Sequence, residues 1–307
     1  IITDLSKAIN ENNLIDIKKL LSQLGKTPFF KKKKPSPYDE AVSLTWYLEN
    51  VFYNSISNIQ KYIKSNISDS EYINFDLVSL GFWPGGDRDG NPYVTNEITQ
   101  KTALKLRSDI IKNYYKDVSK LRRRLTFKNV EEVIIDIENR LYKSIDQTQE
   151  KPSISLEELK EKLNFIKKEV ILKHESLFVE EIQDLIDKVD IFGYYFASLD
   201  IRQDSSIHNM VFEKIVAQTF DKKTLDIYKK QSDEEKIKFL FSKEFNGLNT
   251  EFNHPKVLNT IGSMTAMKSI QKSNGEKGCH RYIISHNESP LNLSLIHISE
   301  PTRPREI

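Results

Sequence analysis

Chemistry in this chain is concentrated in two short segments. The first runs Gly81-Phe82-Trp83-Pro84-Gly85-Gly86-Asp87-Arg88-Asp89-Gly90-Asn91-Pro92-Tyr93-Val94-Thr95 and holds four of the ten glycines within ten positions, with two prolines. Glycine permits backbone angles and close approaches that a Cβ forbids, so the chain here bends tightly. Asp87, Arg88 and Asp89 stand among these glycines, where no bulky neighbour keeps a ligand from the main chain. The spacing excludes three familiar loops. There is no Gly-Lys-Ser/Thr of a Walker loop and no Gly-x-Gly-x-x-Gly of a dinucleotide site. An EF-hand aligned on Gly90 would put Gly85 at the first ligand position and Asn96 at the twelfth, without the two most demanding carboxylates. A structural reading stands beside the functional one: a glycine turn pinned by an Asp-Arg pair.

The second segment is Leu199-Asp200-Ile201-Arg202-Gln203-Asp204-Ser205-Ser206. It sets charges at the C-terminal end of an expected buried strand and offers Asp204 or Ser205 as N-cap of the helix holding Met210, Val211 and Ile215. An arginine beside a helix N-terminus suits a phosphate, because the guanidinium fork gives paired hydrogen bonds and the helix end adds free N–H groups. Only 10 of the 46 basic residues are arginine. In a chain that otherwise uses lysine, Arg88 and Arg202 mark sites where fork geometry matters beyond charge. The competing structural reading is a buried Arg-Asp pair that seals the rim of the fold.

Other clusters carry less. Lys31 to Lys34 and Arg122-Arg123-Arg124 lack interleaved aromatics and read as solvated faces. His286 and the pair Cys279-His280 have no partner at metal-ligand spacing. Asn66-Ile67-Ser68 fits a glycosylation sequon.

The elements that must position these segments are mostly helices. Leu44, Leu48, Phe52, Ile56, Ile59 and Ile63 recur every three or four positions and predict one helical face. Further stripes are Leu106, Ile110, Tyr114, Val118, Leu121, Leu125, then Val130, Val133, Ile134, Ile137, Leu141. Ser155 with Glu158, and Ser232 with Glu235, have capping-box spacing. A last helix is expected over Lys256 to Lys272. Three segments break this period and predict strands: Phe75 to Leu80, Tyr194 to Ile201, and Arg281 to Ser285. Long helical spans separate them, so strands sharing one sheet are parallel and joined by crossovers, as in an elaborated βα barrel. The expected fold class is mainly α with a few parallel strands. Two helical regions follow, 1–142 and 155–293, joined by a polar linker over Lys143 to Ser153, with 294–307 expected to be a non-native tail.

The chain's 307 residues are 38% hydrophobic and 29% charged, with a net charge of +2, which is the balance of a folded soluble protein. This gives no overall cationic field for nucleic acid, and no apolar run reaches the roughly 18 to 20 residues that span a bilayer. The expected setting is cytoplasmic. One cysteine, Cys279, excludes an internal disulfide and any Cys-rich zinc site. The chain starts Ile1-Ile2 rather than with Met, and its three methionines lie at 210, 264 and 267, so a fragment of a longer protein is expected.

These residues resemble a known family. Gly85-Gly86-Asp87-Arg88-Asp89-Gly90-Asn91-Pro92 is similar to the GGDRDGNP segment of phosphoenolpyruvate carboxylase, and Leu199 to Ser205 to its LDIRQ(E/D)S segment. Pro35-Ser36-Pro37-Tyr38-Asp39-Glu40-Ala41 resembles its P-(S/T)-P-x-DE-A helix start, and Tyr282-Ile283-Ile284-Ser285 its YVIS strand. The resemblance spans roughly residues 1 to 293. It implies a helical protein around a βα barrel, commonly a homotetramer, that joins phosphoenolpyruvate to bicarbonate with Mg²⁺ or Mn²⁺ and releases oxaloacetate and phosphate. By resemblance Arg202 holds the substrate phosphate, and Trp83 walls the apolar pocket that shelters CO₂ once phosphorylated bicarbonate has fallen apart. A carbanionic enolate must meet CO₂ before water protonates it, hence the dry pocket. Asp87, Arg88 and Asp89 are assigned to the same rim. The family's catalytic histidine segment, TAHPTE, and its metal ligands, expected beyond Leu293, do not occur in this sequence, so the expectation is that the chain alone neither carboxylates nor holds metal tightly. The alternative is a helical scaffold or interaction protein derived from such a barrel.

Overall fold

The computed structural model describes residues 1–28, 34–66, 78–89, 91–146, 151–242 and 254–293. Lys31 to Lys33, Phe75 to Leu77, Gly90, Ile67 and Ser68 of the sequon, part of the expected linker and the whole of 294–307 lie outside them. The chain forms two compact units, Ile1–Ser36 and Pro37–Ile307. The first carries helices α1 (Ile2–Asn10) and α2 (Leu14–Lys26). Asn13 caps α2 by accepting from the Asp16 N–H at 3.2 Å.

In the second unit the elements run α3 (Pro37–Tyr47), one π-helical turn (Leu48–Phe52), α4 (Tyr53–Asn66), β1 (Gly81–Phe82), α5 (Asn96–Arg122), α6 (Glu131–Ser144), α7 (Leu156–Lys173), α8 (Val179–Phe192), β2 (Ser198–Leu199), β3 (Ile201–Asp204), α9 (Ser205–Thr219), α10 (Lys222–Lys230), α11 (Asp233–Ser242), α12 (Pro255–Asn274) and β4 (Tyr282–Ser285). The main core joins α4 through α8 with the strands. Leu106, Ile110, Tyr114, Val118, Leu121 and Leu125 are buried along one face of α5 and beyond it, facing Ile134, Ile137 and Leu141 of α6 and Leu159, Leu163, Ile166 and Val170 of α7. One apolar cluster therefore spans both sides of the expected linker. A second cluster, built on Val211, Phe212 and Ile215 of α9 with Tyr228, Leu240, Val257 and Leu291, holds α9 to α12 together.

Both capping boxes occur, one complete and one half-made. Ser232 Oγ accepts from the Glu235 N–H at 3.3 Å while Glu235 returns a carboxylate oxygen to the Ser232 N–H at 2.8 Å. Ser155 Oγ accepts from the Glu158 N–H at 3.1 Å, but the Glu158 carboxylate is taken by Arg140, whose Nη2 donates to it at 2.6 Å.

Three expectations are corrected. Of the strand expected over Phe75 to Leu80, the described residues 78–80 are not in strand, and pairing begins at Gly81. The stripe from Leu44 to Ile63 is not one continuous face: Leu48 and Ile56 are buried, while Leu44, Phe52 and Ile59 are exposed. The π-turn inserts one extra residue, so the buried set moves from Ala41, Thr45 and Leu48 to Tyr53, Ile56, Ser57 and Gln60. The middle strand begins only at Ser198. Residues 194–197 are a turn, because Tyr195 and Phe196 both donate their N–H to the Phe192 carbonyl and Ala197 donates to Tyr195. Phe196 there takes φ +61°, which no strand residue adopts.

The strands are parallel, as expected from the long crossovers. Gly81 and Phe82 pair with Ser198 and Leu199, and residues 201 to 204 pair with 282 to 285. On the first strand's side, Asp87 also bridges Arg202. The stretch 198–204 is therefore the middle of three, flanked by 81–87 and 282–285, with α5 to α8 and α9 to α12 as the two crossovers.

The shifted stripe makes a direct expectation. Ile56→Ala should lower the unfolding free energy by about 2–5 kcal/mol, as for other truncated core aliphatics. Phe52→Ala should stay within about 1 kcal/mol, as at a surface site. Denaturant midpoints of the two variants check this; the reverse order would restore the continuous stripe.

Candidate functional site

The site is built where the glycine segment meets β3. Two reciprocal main-chain hydrogen bonds join them: Arg202 N–H donates to the Gly86 carbonyl, and Arg88 N–H donates to the Arg202 carbonyl, each at 3.0 Å. Gly86 makes the approach possible. A Cβ placed there would stand 2.1 Å from the Asp200 carbonyl oxygen, inside any permitted contact. Gly85 has φ +81°, and a Cβ on it would stand 2.3 Å from Thr102 Oγ1 on α5. The adjacent glycines thus let one bend press on a strand and on a helix at once.

The two arginines end in opposite environments. Arg88 is 5% exposed. Its Nη1 donates to the Asn259 carbonyl and Oδ1 on α12 at 2.9 and 2.8 Å, and its Nη2 to Asn96 Oδ1 at 2.6 Å and Thr99 Oγ1 at 3.2 Å on α5. Thr99 Oγ1 in turn donates to the Gly85 carbonyl at 2.7 Å. Burial lowers the Arg88 proton affinity below its ordinary value, and the guanidinium remains charged. Its four hydrogen-bond acceptors are neutral, so its positive charge is not cancelled by a bonded carboxylate. Arg88 clamps the bend to two helices.

Arg202 is one-third exposed, with its guanidinium carbon 5.1 Å from the centre of the Trp83 ring, itself 53% exposed. This is cation–π range. Its Nε is buried without a hydrogen-bond partner. The Asp200 carboxylate lies 3.8 Å from Nη2, too far for a hydrogen bond. Asp200 is held by a third arginine, Arg281, whose Nε donates to Oδ1 at 2.7 Å. Asp87 uses its carboxylate to accept from the Asp89 N–H at 3.2 Å, an Asx turn that shapes the bend, and Asp89 is exposed. Asp204 caps α9, accepting from the Ser206 N–H at 2.8 Å, and lies 3.0 Å from the His286 ring. The Ser206 hydrogen bonds hold its carboxyl below the usual range.

Trp83 and Arg202 therefore stand at one exposed edge, beside the buried Asp200 that Arg281 holds. The Arg202 guanidinium can hold an anion by paired hydrogen bonds beside the Trp83 ring. The edge does not suit a divalent cation: both Asp200 oxygens face guanidinium groups, and among the described residues no three of His, Cys, Asp and Glu are placed to hold a metal. Cys279 is buried, which pushes its thiol up to about 12 and leaves it unreactive. Arg281 carries no local motif that marks it in the sequence. The rarity of arginine, which singled out Arg88 and Arg202, applied equally to it.

With this geometry in place, comparison with known proteins is informative. A family model described as Phosphoenolpyruvate carboxylase matches residues 3–154 and 137–298. A phosphoenolpyruvate carboxylase of Prochlorococcus marinus (strain MIT 9215) is 26% identical over 85% of this chain and 33% of its own length. That of Prochlorococcus marinus subsp. pastoris (strain CCMP1986 / NIES-2087 / MED4) is 26% identical over 91% of this chain and 35% of its own. The chain spans about a third of the length of these relatives. Among the described residues no helix is long and apolar enough to cross a membrane.

The clamp predicts a stability effect. Arg88→Lys keeps the charge but cannot reach all four acceptors, and each buried acceptor left unpaired costs about 1–3 kcal/mol. Thermal unfolding of this variant should show a clear loss, and an unchanged midpoint would show that the clamp is dispensable.

Proposed function

Because the chain belongs to the phosphoenolpyruvate carboxylase family, we propose that it supplies part of the substrate mouth of an enzyme that joins phosphoenolpyruvate to bicarbonate, giving oxaloacetate and phosphate. One observation carries this reading: a partly exposed Arg202 guanidinium with an unpartnered Nε, set against Trp83 and free of any close carboxylate hydrogen bond. Arg202 binds the substrate phosphate, and the apolar face of Trp83 walls a space from which water is excluded while CO₂ meets the enolate. Arg88 fixes the bend and adds a positive charge, not hydrogen-bonded to any carboxylate, to the field near the mouth. Asp87 and Asp89 shape the rim. The three parallel segments are successive strands of a βα barrel that the parent protein completes.

The parent enzyme acts in the cytoplasm as a homotetramer and uses Mg²⁺ or Mn²⁺, which supplies charge stabilisation when bound. The described residues of this chain do not fit that ion, and no step here runs through it. The 307-residue chain alone is inactive. The rival reading, a helical scaffold that keeps barrel-derived segments, is supported by Arg88, whose guanidinium hydrogen bonds all go to residues of α5 and α12.

Arg202→Gln in the full-length parent decides between the two. An apparent KM for phosphoenolpyruvate raised about tenfold or more, the effect of losing one charge-assisted pair, supports the enzyme reading. An unchanged KM supports the scaffold. Oxaloacetate formation by the isolated chain with phosphoenolpyruvate, bicarbonate and Mg²⁺ should be absent, and steady turnover would overturn its assignment as an inactive part.

A further inference from the structure

One acidic side chain stands inside the proposed anion site. Asp200 is 10% exposed and lies between two guanidinium groups, Arg281 at 2.7 Å and Arg202 at 3.8 Å. The shorter distance is a charge-assisted hydrogen bond and the longer one is not. The arrangement is built rather than incidental. Arg281 precedes β4, and its carbonyl accepts from the Ile201 N–H at 3.1 Å, so main-chain pairing fixes its place beside the middle strand. Its side chain lies over Gly81, where a Cβ would come within 2.9 Å of the Arg281 Nη2. All three parallel segments therefore contribute to setting one ion pair: Gly81 leaves the room, Asp200 provides the carboxylate and Arg281 holds it.

A buried carboxylate needs a partner, because desolvation without one is costly. Were Arg281 absent, the next cation for Asp200 would be Arg202, and closing 3.8 Å to hydrogen-bond distance would set a resident carboxylate where a phosphate should bind. We propose that Arg281 is a positioning residue for the anion site: by holding Asp200 it keeps that carboxylate off Arg202 and leaves the Arg202 guanidinium to the substrate. This rests on the assignment of Arg202 as the phosphate-binding group.

The test is a set of variants in the full-length protein carrying this chain, read as KM for phosphoenolpyruvate against kcat, with folding followed by thermal unfolding. Arg281→Gln should raise KM about tenfold, a difference of about 1.4 kcal/mol, with a smaller change in kcat. Arg281→Lys should retain most of the affinity. The double variant Asp200→Asn with Arg281→Gln should return KM to near the starting value, since no carboxylate remains to compete. A merely structural role for Arg281 would not be relieved by a second substitution. The inference is overturned if Arg281→Gln leaves KM unchanged, or if the double variant is as weak as Arg281→Gln alone. Should Arg202→Gln itself leave KM unchanged, the phosphate assignment fails and the inference falls with it.

Discussion

The candidate site depends on a main-chain contact: the carbonyl of Gly86 and the amide of Arg88 close on the two sides of Arg202. Over a hundred residues, carrying helices α5 to α8, separate these groups in sequence, and the loop that joins them must be closed before the contact is gained. The helical core makes this closure favourable, since α5 to α8 bury a continuous apolar surface between the two strands they connect. What the core cannot do is let backbone touch backbone. That needs a position without a side chain, and Gly86 is that position.

From this contact the two arginines acquire different work. The one in the bend points inward and is consumed by amide, hydroxyl and carbonyl oxygens from α5 and α12. The one in β3 points toward solvent beside Trp83. Charge is thereby separated from structure: the Arg88 Nη atoms are spent on neutral acceptors of two helices, and the one-third exposed Arg202 guanidinium has no carboxylate within hydrogen-bond distance. A site assembled in this way is rigid on its inner side and open on its outer side, which is what preorganised recognition of an anion requires.

Much of the fold was legible because helical burial follows period and cap chemistry. The stripes on α5, α6 and α7 and the Ser232 box are local signals, and local signals survive folding. The failures came where neighbouring turns rearranged the backbone. A π-turn changes the phase of a stripe without changing its composition, so Phe52 and Ile59 looked buried and are not. Residues 194–197, three of them aromatic, looked like a strand because β propensity reads side-chain packing, which a buried turn supplies equally well. In the site, glycine density and scarce arginines pointed to the two segments. The third arginine was missed because its partner, Asp200, is 81 residues away, and pairing across parallel strands leaves no local trace in sequence.

Amide hydrogen exchange at Arg88 and Arg202 tests the central contact most directly. The account predicts that both amides exchange slowly and that Gly86→Ala, by forcing the segments apart, makes both exchange fast while the α5 amides stay protected. Rapid exchange of the two amides in the unaltered chain would contradict it, because the bend and the strand would then not be joined.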